Sequence, residues 1–236
     1  MPLASPCRNR VAMNSAPPQA PPADRHPETG RMLADALDAP WTQEPVPHLF
    51  LPSWVPDRLL DDLMAQMPPL ECLTQIEGGG MILRSEKFQG PAWNLYDAMM
   101  RYLLALLLAR CAPWWHSVQE RVGKELGPSW DTTFYPSFIS IADPGRGVGP
   151  HMDGDTSVLT AITVLGYEDL SPAPVTNFFS GGQEPSRPTT TYPPSRGSLF
   201  VMPNLGLAST HGVIESIGPG RITHIASIMA VARDAQ

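Results

Sequence analysis

The sequence predicts a mainly β domain with bracing helices, and three observations carry that expectation. From Phe134 onward the chain breaks into six short β-rich runs, FYPSFISIA, SVLTAITVLG, VTNFF, GSLFVM, HGVIESI and RITHIASIMAVA, with no long helix between them. Runs of this length punctuated by turn residues favour an antiparallel sandwich or barrel. Ahead of them, strongly apolar helical patterns occupy Trp93 to Arg110 and Trp114 to Leu126, and these are expected to brace one face of a sheet. Earlier still, PVPHLFLPSWVP reads as a short strand interrupted by prolines, and DRLLDDLMAQM has helical apolar spacing at Leu59, Leu60, Leu63, Met64 and Met67.

The elements follow in order. Residues 1 to 30 are rich in Pro, Ala and polar groups and hold few large apolar side chains, so they bury too little surface to offset the entropy of ordering. They are expected to form a disordered tail, with Met13 as a second candidate start, and residues 31 to 236 a single domain. Within it, helical support covers about 57 to 126 and a β core about 134 to 232. Pro113 ends the first bracing helix and Gly127-Pro128 the second. Gly78-Gly79-Gly80 is a turn, since no phosphate-loop pattern surrounds it. The stretch from Tyr167 to Ser195, crowded with Pro, Ser, Thr and Gly, is expected to be a lid.

Composition narrows the function. At 236 residues and 42% hydrophobic content the chain holds one sizeable core. A net charge of −7 without a dense Lys/Arg run argues against nucleic acid as a partner. Cys7, Cys72 and Cys111 lie far apart and form no metal-type pair, which fits a reducing, cytoplasmic setting. YLLALLLA, at 102 to 109, is far shorter than the roughly 20 residues a bilayer span needs. No membrane association is expected.

One constellation carries chemistry. His151 and Asp153 are two apart, so on extended backbone their side chains leave on the same side, and the glycines at 145, 147, 149 and 154 discourage a helix there. His211 opens a strand-like run fifty-eight positions after Asp153. Two imidazoles and one carboxylate on one face form the facial triad that leaves open positions on iron(II). Ten residues further on, strand alternation in RITHIASIMAVA groups Arg221, Thr223, Ile225 and Ser227 on one face and Ile222, His224 and Ala226 on the other. A planar guanidinium at Arg221 suits a bidentate pair with a carboxylate, and Thr223 adds a hydroxyl on the same face. Each feature has an ordinary alternative: surface decoration for H-x-D, a core or surface histidine for His211, and an internal salt bridge for Arg221. His26, His48, His116 and His224 are not expected to be ligands.

Together, H-M-D at 151 to 153, H-G-V at 211 to 213 and R-I-T at 221 to 223 resemble the H-x-D…H…R-x-[ST] pattern of the iron(II)/2-oxoglutarate dioxygenase superfamily, with the prolyl-4-hydroxylase-like branch nearest. ADPGRGVGPHMDGDTSVLTAITVLG resembles the family's approach to H-x-D and the strand after it, and PSRGSLFVMPN the strand before the distal histidine. The resemblance spans about Pro45 to Ala232 in outline, with specific motifs in the C-terminal half. It implies a double-stranded β-helix, the cupin-like jelly roll, and a hydroxylase taking Fe(II), 2-oxoglutarate and O2. It also implies His151, Asp153 and His211 as metal ligands, with Arg221 and Thr223 on the 2-oxoglutarate 5-carboxylate. Where many family members have a tyrosine ahead of the approach glycine this chain has Ala142, which brings in a further hydroxyl, Thr160 or Thr163, and of the two Thr163 is preferred. The carboxylate at Asp153, where related halogenases have glycine, favours hydroxylation or desaturation.

The expected substrate is a small molecule, an amino acid or a metabolite derived from one. Arg146, Arg187 and Arg196 are the nearby cations, with solvated surface as the alternative, and Trp130 and Tyr135 are candidate pocket aromatics, with plain core as theirs. Two other functional classes stay open: a cupin-type metalloenzyme that does not use 2-oxoglutarate, and a non-catalytic β-sandwich binding module. The apolar helices at 93 to 126 leave a homodimer open as well.

Overall fold

The computed structural model describes residues 27–67, 72, 74–75, 81–84, 90–109, 114–141, 151–167, 176–178, 190–192, 195–212 and 221–233. Its centre is a seven-stranded antiparallel sheet of order β1-β8-β5-β10-β4-β3-β2, formed by Leu49–Leu51, Leu199–Pro203, Ser157–Tyr167, Arg221–Ala232, Trp130–Ile141, Met81–Arg84 and Thr74–Gln75. A second sheet, β7-β6-β9, comprises Thr190–Tyr192, Thr176–Phe178 and His211–Gly212. A backbone bridge between His151 and His211 extends this small sheet at its β9 edge. The architecture is a double-stranded β-helix, as the sequence led us to expect.

Four helices, α1 (Pro27–Asp38), α2 (Asp57–Ala65), α3 (Pro91–Ala109) and α4 (Trp115–Leu126), share one apolar core with the large sheet. Helix α3 starts with proline, which tolerates the first helical position because its missing N–H has no intrahelical partner there. Trp93, Tyr96, Met100, Leu103, Leu104 and Leu107 then recur at helical spacing and are all buried. From β10 the same core takes Ile222, Ala226, Ile228 and Ala230. The opposite face of the sheet carries Phe200 and Met202, which pack with Ile162 and with Tyr192 of the small sheet. Alternation along β10 therefore separates helix side from inner side as expected.

Two features set the register. Opposite β10, Ile225 pairs with Phe138 and Ser227 with Tyr135, so two residues of β4, Pro136 and Ser137, oppose Ala226. Proline offers the ladder no N–H, and a bulge is where a strand tolerates it. At the turn into β8, Gly197 has φ +80°, and a Cβ there would lie 2.6 Å from the Val55 carbonyl oxygen. Its own carbonyl accepts from Trp54 N and Val55 N at 2.9 Å and its N–H donates to Val164 O at 2.7 Å, tying the approach to α2 onto β5 and β8. Only glycine fits both conditions.

Three expectations need correction. Helix α1 begins at Pro27, within the stretch expected to be a tail, because Thr29 and Met32 are buried against the core. Strands β6, which lies in the run VTNFF, and β7 are both inside the segment read as a lid, and β7 was not foreseen because three residues leave little periodic signal among prolines and serines. Arg196 pairs with Asp61 (2.6 Å) and Asp57 (3.7 Å) of α2, so it braces the fold instead of offering a charge to a substrate. The Gly78–Gly80 turn, the remaining lid residues and Arg187 fall outside the described residues. No described helix is long and apolar enough to cross a membrane.

Candidate metal centre

The end of the jelly roll where β5 begins gathers the three expected ligands. His151 precedes β5, and its backbone exchanges two hydrogen bonds of 2.9 Å with His211, the first residue of β9. That pairing places the two imidazoles side by side, with ring centroids 4.4 Å apart. Asp153 follows two residues later, on the same side of extended backbone. One ligand atom from each of His151, Asp153 and His211 lies within 4.8 Å of the others. His211 is buried, Asp153 half-buried and His151 exposed, so the cluster opens to solvent on one side.

The surroundings suit a metal. His211 Nδ1 lies 3.0 Å from the carbonyl of Ser209, which only accepts, so Nδ1 carries the proton and Nε2 keeps its lone pair for a ligand. Thr160 Oγ1 donates to Asp153 Oδ2 at 2.6 Å, leaving Oδ1 for coordination. The Ser157 and Ser227 hydroxyls each lie 3.3 Å from Thr160 Oγ1. Two imidazoles and one oriented carboxylate match the donor set of non-haem iron(II) centres. Among the described residues no second cluster of this kind occurs.

The remaining expected residues divide. Arg221 opens β10, with Tyr167 as its Cα partner on β5. Thr223 is buried and pairs with Ser140, but its hydroxyl donates to the Ser140 carbonyl at 3.3 Å, a bond it must give up to hold a co-substrate. Thr163 is a correction: it pairs with His224, whose ring sits against Tyr96 (5.0 Å) and Trp93 (6.2 Å) of α3, so it faces the helices, away from the triad. Trp130 is another, because its ring lies 6.0 Å from that of Trp115 on α4 and it belongs to the same helical side. Tyr135 pairs with Ser227, which places it on the triad's side of the sheet, 39% exposed. Arg146 lies outside the described residues.

Two other histidines, His224 and His48, lie in the interior outside the cluster of His151, Asp153 and His211. His224 is fully buried, and desolvation, offset in part by Asp97, pushes its pKa down to about 4. Burial also lowers His48, whose Nδ1 faces the Val46 carbonyl at 2.7 Å and whose Nε2 bonds the Tyr192 hydroxyl. Sequence reasoning gave Thr160 only a co-substrate role; its contact with Asp153 came from the fold. Strand alternation was the available signal, because Thr160 and Thr163, an odd number of positions apart, cannot share a face.

No family model and no curated protein matches the sequence. Solved structures do. A viral collagen prolyl hydroxylase from Paramecium Bursaria Chlorella virus-1 superposes with a TM-score of 0.54 at 14% identity, over 78% of this chain and 96% of that one. A prolyl-4-hydroxylase of Pseudomonas putida gives 0.54 at 19% identity, over 87% and 99%. A Trichoplax adhaerens prolyl hydroxylase, in complex with a hypoxia inducible factor oxygen degradation domain peptide fragment, gives 0.56 at 10% identity, over 87% and 92%. The fold this chain shares with them is the jelly roll of the 2-oxoglutarate oxygenases.

Proposed function

We propose that this chain is an Fe(II)/2-oxoglutarate-dependent dioxygenase that hydroxylates an unactivated C–H bond of a small molecule, an amino acid or a metabolite derived from one. The observation that carries the reading is the convergence of His151, Asp153 and His211, with tautomer and carboxylate already oriented, at one end of this jelly roll. A shared fold alone does not imply a shared reaction, so the weight rests on the site.

In this reading His151, Asp153 and His211 hold iron(II), and Arg221 pairs with the 5-carboxylate of 2-oxoglutarate. Bound iron, with 2-oxoglutarate and dioxygen, supplies the oxidising power that converts C–H to C–OH, the co-substrate leaving as succinate and carbon dioxide. The chain's own part is placement. Thr160 keeps the Asp153 carboxylate from rotating, and the Ser209 carbonyl keeps His211 in the Nδ1–H tautomer. Tyr135, exposed on the triad's side of the sheet, offers a ring for substrate to rest on and exclude water. Thr223 is proposed to exchange its bond to Ser140 for the co-substrate.

Anaerobic titration of the metal-free protein with iron(II) and then 2-oxoglutarate tests the reading. The expected result is a weak visible charge-transfer band that needs both and disappears in His211→Ala, followed by succinate release on addition of amino acids. Iron binding without a band would favour a cupin-type site that does not use 2-oxoglutarate; no binding would leave a β-sandwich module.

A further inference from the structure

The segments carrying Asp153 and His211 meet in one buried side chain. Asn204, just past β8, is 3% exposed. Its Nδ2 donates to the carbonyls of Asp153 (3.0 Å) and Gly154 (2.9 Å), which uses both amide protons. Its Oδ1 accepts from Gly206 N (2.9 Å), at the start of the turn that leads to His211, and lies 3.3 Å from Ser209 Oγ, whose single proton is shared with the Gly206 carbonyl at 2.9 Å. Ser209 is also the residue whose carbonyl orients His211.

A guanidinium braces the arrangement from outside the sheet. Arg121 on α4 donates through Nε to the Asn204 carbonyl at 3.1 Å, and through its two terminal nitrogens to the carbonyls of Asp155 and Ser157. An ordinary surface loop leaves such carbonyls to water. Here those of residues 153, 154, 155 and 157 all receive side-chain donors from Asn204 and Arg121, and the half-buried guanidinium also feels the charges of Asp155 and Asp153.

We propose that Asn204 is a positioning residue for the metal centre, a clamp that fixes the Asp153 loop and the His211 segment to each other before metal arrives, with Arg121 as its brace. The inference rests on the metal-site reading above. Beside the His151–His211 backbone pair, Asn204 joins the two segments through its side chain. Without it they would have to be ordered by the metal, and that entropy would be taken out of affinity.

The test is titration of the metal-free chain with cobalt(II), read by the visible d–d band and by calorimetry, beside thermal melting of the metal-free protein. Asn204→Asp keeps the shape and turns both donors into acceptors facing carbonyls; Arg121→Gln removes the brace from a half-exposed position and decides the matter where Asn204→Asp does not fold. The expected result is cobalt affinity lower by about 10- to 100-fold in Asn204→Asp, and less so in Arg121→Gln, with an altered band. Melting lowered while cobalt affinity and band stay as in wild type, at a temperature where the variant is folded, would reduce Asn204 to a structural residue and overturn the clamp. Binding lost in His211→Ala yet intact in both other variants overturns the clamp alone. A wild-type chain that binds no cobalt overturns the metal reading together with it.

Discussion

Thr160→Val removes the one short hydrogen bond to Asp153, with two long hydroxyl contacts, and leaves the strand as it was. Valine has the volume and β-branching of threonine, so β5 keeps its backbone and its rotamer preference. What disappears is the donor 2.6 Å from Asp153 Oδ2. A hydrogen bond to a charged acceptor contributes about 1.5–3 kcal/mol, and about 1.4 kcal/mol corresponds to a tenfold change. Because the bond is already made without metal, part of this energy appears as stability of the metal-free protein, and metal affinity should fall by about 10- to 100-fold through loss of the orientation of Asp153. Ser157 and Ser227, each 3.3 Å from the Thr160 hydroxyl, lose a long contact and contribute little. Anaerobic titration with iron(II) or cobalt(II), with melting of the metal-free protein as control, measures the effect. A dissociation constant within about twofold of wild type would refute the assignment of Thr160 as the group that orients Asp153, since even the weaker estimate predicts more.

Two further outcomes follow from the fold. His224 has a folded-state pKa of about 4, so between that value and the ordinary histidine value the unfolded chain binds more protons than the native one. Stability is therefore complete at neutral pH and lost as pH falls towards 4, by about 1.4 kcal/mol per pH unit at most and about 3 kcal/mol in all. Urea unfolding at pH 7.5 and pH 5 checks this; burial of His48 acts with the same sign, so His224→Leu should reduce the slope without abolishing it, and a pH-independent wild type would contradict it. Gly197→Ala should cost about 1–2 kcal/mol for the left-handed conformation alone, and more for the 2.6 Å approach to the Val55 carbonyl, read as a lower melting temperature.

The sequence made the large sheet and the cluster of His151, Asp153 and His211 legible because both leave periodic or paired signals. Arg221 to Ala232 alternates cleanly, and the structure places Ala226 and Ile228 under the helices while Ser227 meets Thr160 on the other side. Strand β6 was legible as the run VTNFF, whereas β7 gave no such signal, being three residues in a segment dominated by turn formers. Helix α1 was hidden for the opposite reason: PETGRMLADALD has helical spacing, but it adjoins a proline-rich tail whose composition outweighed it.

The choice between Thr160 and Thr163 marks where local pattern runs out and tertiary structure takes over. Alternation within β5 already separates the two hydroxyls onto opposite faces, yet it cannot say which face belongs to the metal. That depends on register with β10, and register here is interrupted: β5 slips against β10 between Ile222 and Thr223 and again between Ile228 and Met229. A single slip exchanges every side chain between helix side and inner side, so a motif read outward from Arg221 cannot be carried to a neighbouring strand by counting. His224 resolves it physically. Its imidazole, surrounded by Trp93 and Tyr96, fixes that position to the helical side, and its Cα partner Thr163 must follow. Thr160 is then the hydroxyl left for Asp153, which is why the prediction for this residue concerns metal affinity and not 2-oxoglutarate.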